Sequence, residues 1–161
     1  MTESLSVGAA ADRLRADHAH LLAAVDGLSG PELARDYTTA AGPLGDFCAS
    51  LHDLVAHVLM WNEINLAVLN DPGHWSLRPE FETVEAGRAL NRAGVAAGRE
   101  LPADLLLDRL AAGHASLLDQ LAGYTDEDWR AHVGPLATRV FTVPGRPAFW
   151  HAALHLGAVT A

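Results

Sequence analysis

Apolar side chains recur at helical period along most of this chain. Leu14, Leu21, Leu22, Val25 and Leu28 mark a first helix from about Ser6 to Leu28, with Ser6 as N-cap and Gly30-Pro31 as its stop. A linker follows from Asp36 to Gly45. The second helix is expected from about Asp46 to Asn70. At roughly 100° per residue, Phe47, Leu54, Trp61, Ile64 and Val68 share one stripe with His57 in its middle. Asn70-Asp71-Pro72-Gly73 ends it, and His74 to Phe81 reads as loop. Helix resumes from Glu82 to Gly98, with Val84, Leu90 and Val95, and again from Pro102 to Leu121, with Pro102 at its start and Gly123 as its stop. Thr125 to Asp128 is a capped short turn. Gly134 to Pro147 is an irregular connection, within which Thr138 to Val143 is a candidate extended piece. A last helix is expected from Arg146 to Val159.

No strand pattern, internal repeat or low-complexity tract competes with this reading. The fold class is therefore all-α: an antiparallel four-helix bundle with a long irregular connection before the last helix. A chain of 161 residues suits one domain, spanning 1–161. Its apolar half is mostly Ala, Leu and Val, which favours helix.

Charge removes several function classes. Asp and Glu number 20 against 11 Lys and Arg, with no basic stripe, so phosphate-neutralising nucleic-acid binding is excluded. No apolar run approaches the roughly 20 residues of a membrane-spanning helix, and the N-terminus lacks the basic and apolar regions of a signal peptide. The single cysteine, Cys48, permits no intramolecular disulfide and reads as a small core filler. A cytoplasmic location is expected from these features.

The chemistry that remains lies in histidines. His151 and His155 form an HxxxH step, and residues i and i+4 of a helix share a face. With His57 on the apolar stripe of the second helix, they make a candidate metal site of three neutral imidazoles and an open position, the pattern of a catalytic divalent centre. The bland alternative is a pair of half-buried helix histidines plus a satisfied core histidine. Ala152 and Ala153 replace the glutamate of an HExxH protease helix, which disfavours that class. Asp53, one turn before His57, is a candidate to orient its imidazole, and equally an acid placed by the helix macrodipole. His52 points some 140° away from His57, toward Asn62, Glu63 and Asn70, and is assigned to solvent. His18 and His20 cannot share a face, and His74, His114 and His132 have no metal spacing.

Asp53-Leu-Val-Ala-His57-Val followed by Trp61 resembles the DxLAHxxxW helix of the DinB-like superfamily. His151-Ala-Ala-Leu-His155-Leu-Gly157 resembles its closing HxxxHxG helix. Ala89-Leu90-Asn91 and the segment from Leu105 to Trp129 resemble the group's intervening elements, so the likeness covers about residues 5 to 161. Within the superfamily the chain is similar to the ClbS/DfsB-type proteins and to the mycothiol-dependent maleylpyruvate isomerase N-terminal domain.

The resemblance implies a bundle, often a homodimer, holding a divalent metal on His57, His151 and His155. It implies thiol-dependent chemistry, as a mycothiol- or bacillithiol-dependent transferase or isomerase acting on a small molecule. A non-enzymatic small-molecule binding or self-protection protein, and a metal-dependent hydrolase, are the alternatives. Nitrogen-rich ligation suits zinc or nickel and excludes magnesium and calcium. Met60, Trp61 and Ile64 flank His57 and are expected to wall the pocket. The chain departs from the family pattern at Phe47-Cys48, where a tryptophan is expected and Phe47 stands in, and at Ala158-Val159, which replaces a more polar pair.

Overall fold

The computed structural model describes residues 5–37, 47–71, 83–133 and 147–158. Among these the architecture is all-helical, with an isolated bridge between Asp36 and Ser50 as the sole extended pairing. Four long helices carry it: α1 (Val7–Val25), α3 (Leu51–Asn70), α4 (Val84–Arg99) and α5 (Ala103–Ala122). Three short ones complete the described chain: α2 (Gly30–Leu33), α6 (Asp126–Asp128), which runs into a π-helical turn at Trp129–Val133, and α7 (Ala152–His155).

Local chemistry sets the boundaries. Ser6 Oγ accepts from the Ala9 amide at 3.1 Å and starts α1 as expected. The helix stops at Val25 because Gly27 takes φ +71°. Gly30-Pro31 was expected to break a helix and instead opens one. Ser29 and Glu32 form a capping box around it, and proline in the first turn gives up no hydrogen bond. The second long helix begins at Leu51 rather than near Asp46, since Ser50 Oγ accepts from the Asp53 amide and fixes the cap there. Thr83 caps α4 in the same way.

The largest departure is the last helix. Expected over Arg146–Val159, it is one turn. His151 already lies outside it, and Gly157 at φ +68° closes it, with the Ala158 amide bonded back to the Ala153 carbonyl at 2.8 Å. That 6→1 bond around a left-handed glycine is the Schellman ending. The expected loop at 74–81, the linker beyond residue 37 and the candidate extended piece at 138–143 lie outside the described residues.

α3 is the central helix and packs most extensively on α5 and α4. Its register with α4 is antiparallel: Asp53 meets Arg99, Ala56 meets Gly98, Met60 meets Gly94 and Trp61 meets Asn91. Buried apolar side chains fall into two main clusters. One joins Leu14, Leu69, Leu117, Trp129 and Phe149; the other joins Leu21, Leu54, Val55, Leu110 and Ala152. His18 of α1 stacks on His114 of α5 with ring centroids 3.9 Å apart, closing a third side. None of the described helices is long and apolar enough to cross a membrane.

The α3–α4 approach is set by absent side chains. A Cβ built on Gly98 would lie 2.2 Å from Ala56 Cβ, whereas one on Gly94 meets chiefly the thioether of Met60, which can move. Gly98→Ala should therefore destabilise by roughly 1–3 kcal/mol through overpacking, despite a helix-propensity gain of about 1 kcal/mol. Gly94→Ala should cost less. Urea denaturation of both variants measures the order, and equal midpoints would contradict it.

Candidate metal centre

His57 sits in the middle of α3, where the surrounding stripe is mostly internal. Leu54 and Val68 are buried, while Trp61 and Ile64 are half-buried. Phe47 precedes the helix rather than belonging to it, yet its ring lies 4.7 Å from that of His57 and 6.4 Å from that of His155. His151 immediately precedes α7 and His155 ends it, so the HxxxH step occupies one turn.

The three imidazoles meet. Ring centroids are 4.6 Å apart for His57 and His151, 5.1 Å for His57 and His155, and 5.2 Å for His151 and His155. One nitrogen from each lies within 4.8 Å of the others. His57 Nε2 and His151 Nε2 are 2.8 Å apart and share a proton, one donating and the other accepting. His57 and His155 are buried and His151 is half-buried.

Burial is the main reason that all three titrate below the ordinary histidine range. Repulsion from His151 and His155 adds to the effect at His57, repulsion from His155 adds to it at His151, and burial brings His155 down to about 4. The imidazoles are therefore neutral at pH 7, the form that ligates metals.

The cluster fits a metal ion on its own evidence. Among the described residues both ring nitrogens of His155 are buried without a hydrogen-bond partner, so one of them is available to an ion, and His57 Nδ1, across its ring from the Nε2 that faces His151, is likewise bare. Such an atom costs about 1–3 kcal/mol when left unsatisfied. Two imidazole nitrogens on one tetrahedral zinc, at about 2.0–2.1 Å each, stand roughly 3.3 Å apart, so the His57–His151 pair needs to open by only a few tenths of an ångström.

Asp53 does not serve His57. Its carboxylate accepts from Arg99 Nε at 2.9 Å and Nη2 at 2.7 Å, and from the Ala49 amide at 2.9 Å. Burial works against its ionisation, but the Arg99 hydrogen bonds and charge outweigh it and hold the group below the usual range. Asp53 ties α3 to α4, and His57 Nδ1 keeps no partner. His52 is likewise not a solvent residue. Half-buried, its Nε2 pairs with the Leu101 carbonyl at 3.1 Å, because the α4–α5 connection covers that side of α3. Met60 packs at Gly94, and Trp61 donates Nε1–H to Asn91 Oδ1 at 2.7 Å, so both reach α4; Ile64 is half-buried.

Sequence reasoning missed Asp17. This buried α1 carboxylate accepts the amides of His151 (2.9 Å), Ala152 (3.0 Å) and Ala153 (2.8 Å). Burial raises its pKa, and the three amide hydrogen bonds oppose that. One turn earlier, Arg13 Nη1 donates to the Ala148 carbonyl at 3.1 Å. Between these anchors Phe149 holds φ +63°, an unfavourable backbone for a bulky side chain, with its ring buried against Trp129. The available signal was periodicity: Asp17 falls on the Leu14–Leu21–Val25 stripe, where an acid needs buried donors.

His57→Ala, His151→Ala or His155→Ala should each abolish tight binding of added zinc or nickel, while His52→Ala leaves it intact. Elemental analysis of untagged, dialysed protein reads this directly. Equal loss in the His52 variant would place the ligands on another face of α3.

Residues 14–149 match the family model described as mycothiol maleylpyruvate isomerase N-terminal domain. The match includes His57 and ends two residues before His151, so convergence of the HxxxH turn on His57 rests on the geometry. No curated protein and no solved structure matches the chain significantly.

Proposed function

We propose that this chain, which belongs to the mycothiol maleylpyruvate isomerase N-terminal domain family of the DinB-like superfamily, binds one divalent metal ion through His57, His151 and His155 and acts on a small molecule together with a low-molecular-weight thiol. The observation that carries this reading is three converging neutral imidazoles with partnerless buried nitrogens among them. The family description supplies the thiol: mycothiol first, bacillithiol as its analogue. Zinc or nickel is the expected ion, because an all-imidazole set offers none of the oxygen donors that magnesium and calcium need.

A bound ion would lower the pKa of a coordinated thiol and hold it as thiolate for transfer or isomerisation. The chain's residues prepare that step. Three imidazoles leave a coordination shell open to an exogenous ligand. The Phe47 ring lies beside His57 and His155 and adds apolar surface next to them. Met60, Trp61 and Ile64, which follow His57 on α3, are proposed as pocket wall, with Trp61 fixed by its bond to Asn91. Hydrolysis is the weaker reading, since a general base needs a free carboxylate or imidazole. Asp17 and Asp53, the two buried acids among the described residues, are both engaged by other partners.

Titrating the cobalt-substituted protein with mycothiol and with bacillithiol tests the reading. A new sulfur-to-metal charge-transfer band is expected with at least one of them. Metal-loaded protein that shows no spectral change with either thiol would favour pure binding or sequestration. Homodimeric assembly belongs to the same proposal. Light scattering should give twice the 17.1 kDa of one chain at micromolar concentration, and the single-chain mass across that range would remove it.

A further inference from the structure

Two of the three imidazoles reach the cluster from a segment with little helix of its own. One turn of helix is far below the length that is stable alone. Its own few hydrogen bonds close the turn, and α1 fixes where it sits. Asp17 Oδ1 accepts from the His151 and Ala153 amides and Oδ2 from the Ala152 amide. Arg13, one turn earlier on α1, holds the Ala148 carbonyl. Phe149, left-handed between these two anchors, makes the chain change direction just before His151. The amide of His151 is thus fixed directly, and His155 follows through the α7 turn, its own amide bonded to the His151 carbonyl at 3.3 Å.

We propose that Asp17 is a positioning residue for the metal centre: by holding the His151–Ala153 backbone on α1 it presents His151 and His155 to His57, so that metal binding and docking of this segment on α1 are one coupled equilibrium. The proposal rests on the metal reading above and adds the residue on which affinity depends. Asp17 touches neither the ion nor a thiol; it acts through the backbone of the ligand-bearing turn. Coupling is reciprocal, so a metal ion must tighten the docking by the same factor by which docking tightens metal binding.

The test compares zinc affinity, by competition with a chromophoric chelator, in wild type, Asp17→Asn, Asp17→Ala and Leu33→Ala. Asparagine keeps one acceptor oxygen for the His151 and Ala153 amides and loses the acceptor for Ala152; alanine loses both. Affinity should fall about 10-fold or more in Asp17→Asn, in the range found when residues supporting metal ligands are removed, and further in Asp17→Ala. Leu33→Ala, a truncation of a buried side chain on α2, which packs on α3 and α5, should lower thermal stability yet bind zinc as wild type does. The metal-induced rise in Tm should shrink only in the Asp17 variants, which a merely structural role would not produce.

A second measurement uses wild type alone, in case the variants do not fold. Zinc should slow hydrogen exchange at the His151, Ala152 and Ala153 amides selectively. No zinc binding by wild type overturns the metal reading and this inference together. Tight binding by wild type with affinities within two-fold in both Asp17 variants overturns this inference alone. Unchanged exchange at those three amides on zinc addition does the same.

Discussion

A buried carboxylate that accepts three amide N–H groups from a segment 134 to 136 residues away organises the described structure around it. Removing a charged carboxylate from water is costly unless donors replace the lost hydration. At Asp17 the donors are backbone groups at the start of α7, where amides have no intrahelical partner. Each side therefore satisfies the other. The acid gains hydrogen bonds that favour its ionised form, and the turn gains the anchor that its length denies it. The positive φ at Phe149 and the reach of Arg13 to Ala148 follow from the same docking. Backbone strain of this kind persists only where surrounding contacts over-determine it.

The histidine cluster is the counterpart on the other side of that turn. Here the buried groups are not satisfied. Among the described residues His155 has no hydrogen bond on either nitrogen, and His57 has none on Nδ1. Domains of this size are stable by only about 5–15 kcal/mol, so polar atoms left bare at about 1–3 kcal/mol each are a noticeable burden on the fold. An ion held by one nitrogen of each ring would engage one of the bare His155 nitrogens and stabilise the folded chain by mass action. Neutrality of the imidazoles, imposed first by burial, removes proton competition over the pH range where an ordinary histidine would be partly charged. Phe47 contributes to that low-dielectric setting without offering a ligand atom.

Much of the fold was legible because helix periodicity and capping are local. The four long helices follow the Leu and Val spacing, and three of them begin at Ser6, Thr83 and Pro102, within a residue or two of where the pattern puts them. The histidine convergence was legible for the same reason, since i, i+4 spacing and an apolar stripe both encode a face. The failures share a different cause. Asp53 looked available to His57 because its partner Arg99 belongs to another helix. His52 looked exposed because the α4–α5 connection that covers it is distant in sequence. The last helix is shorter than its spacing suggests because an HxxxH step satisfies helical spacing over a single turn as well as over several, and Gly157 within the HxxxHxG pattern is the residue that ends the helix. Asp17 was passed over because an acid on a helix is ordinarily a solvated one.

The sequence separation of the cluster also imposes an order of events. Local helices form faster than contacts between distant parts of a chain, and the four long helices are complete by Ala122. While residues 148–155 are not yet docked on α1, His57 is a lone imidazole between the long helices. The Leu21–Leu54–Leu110 cluster lacks Ala152 at that stage, and the Leu14–Leu69–Leu117 cluster lacks Phe149. Closing so long a loop is slow relative to helix formation. Without that docking the bundle has an open apolar seam along α1, and an ion that needs all three imidazoles can be captured only where that seam has shut.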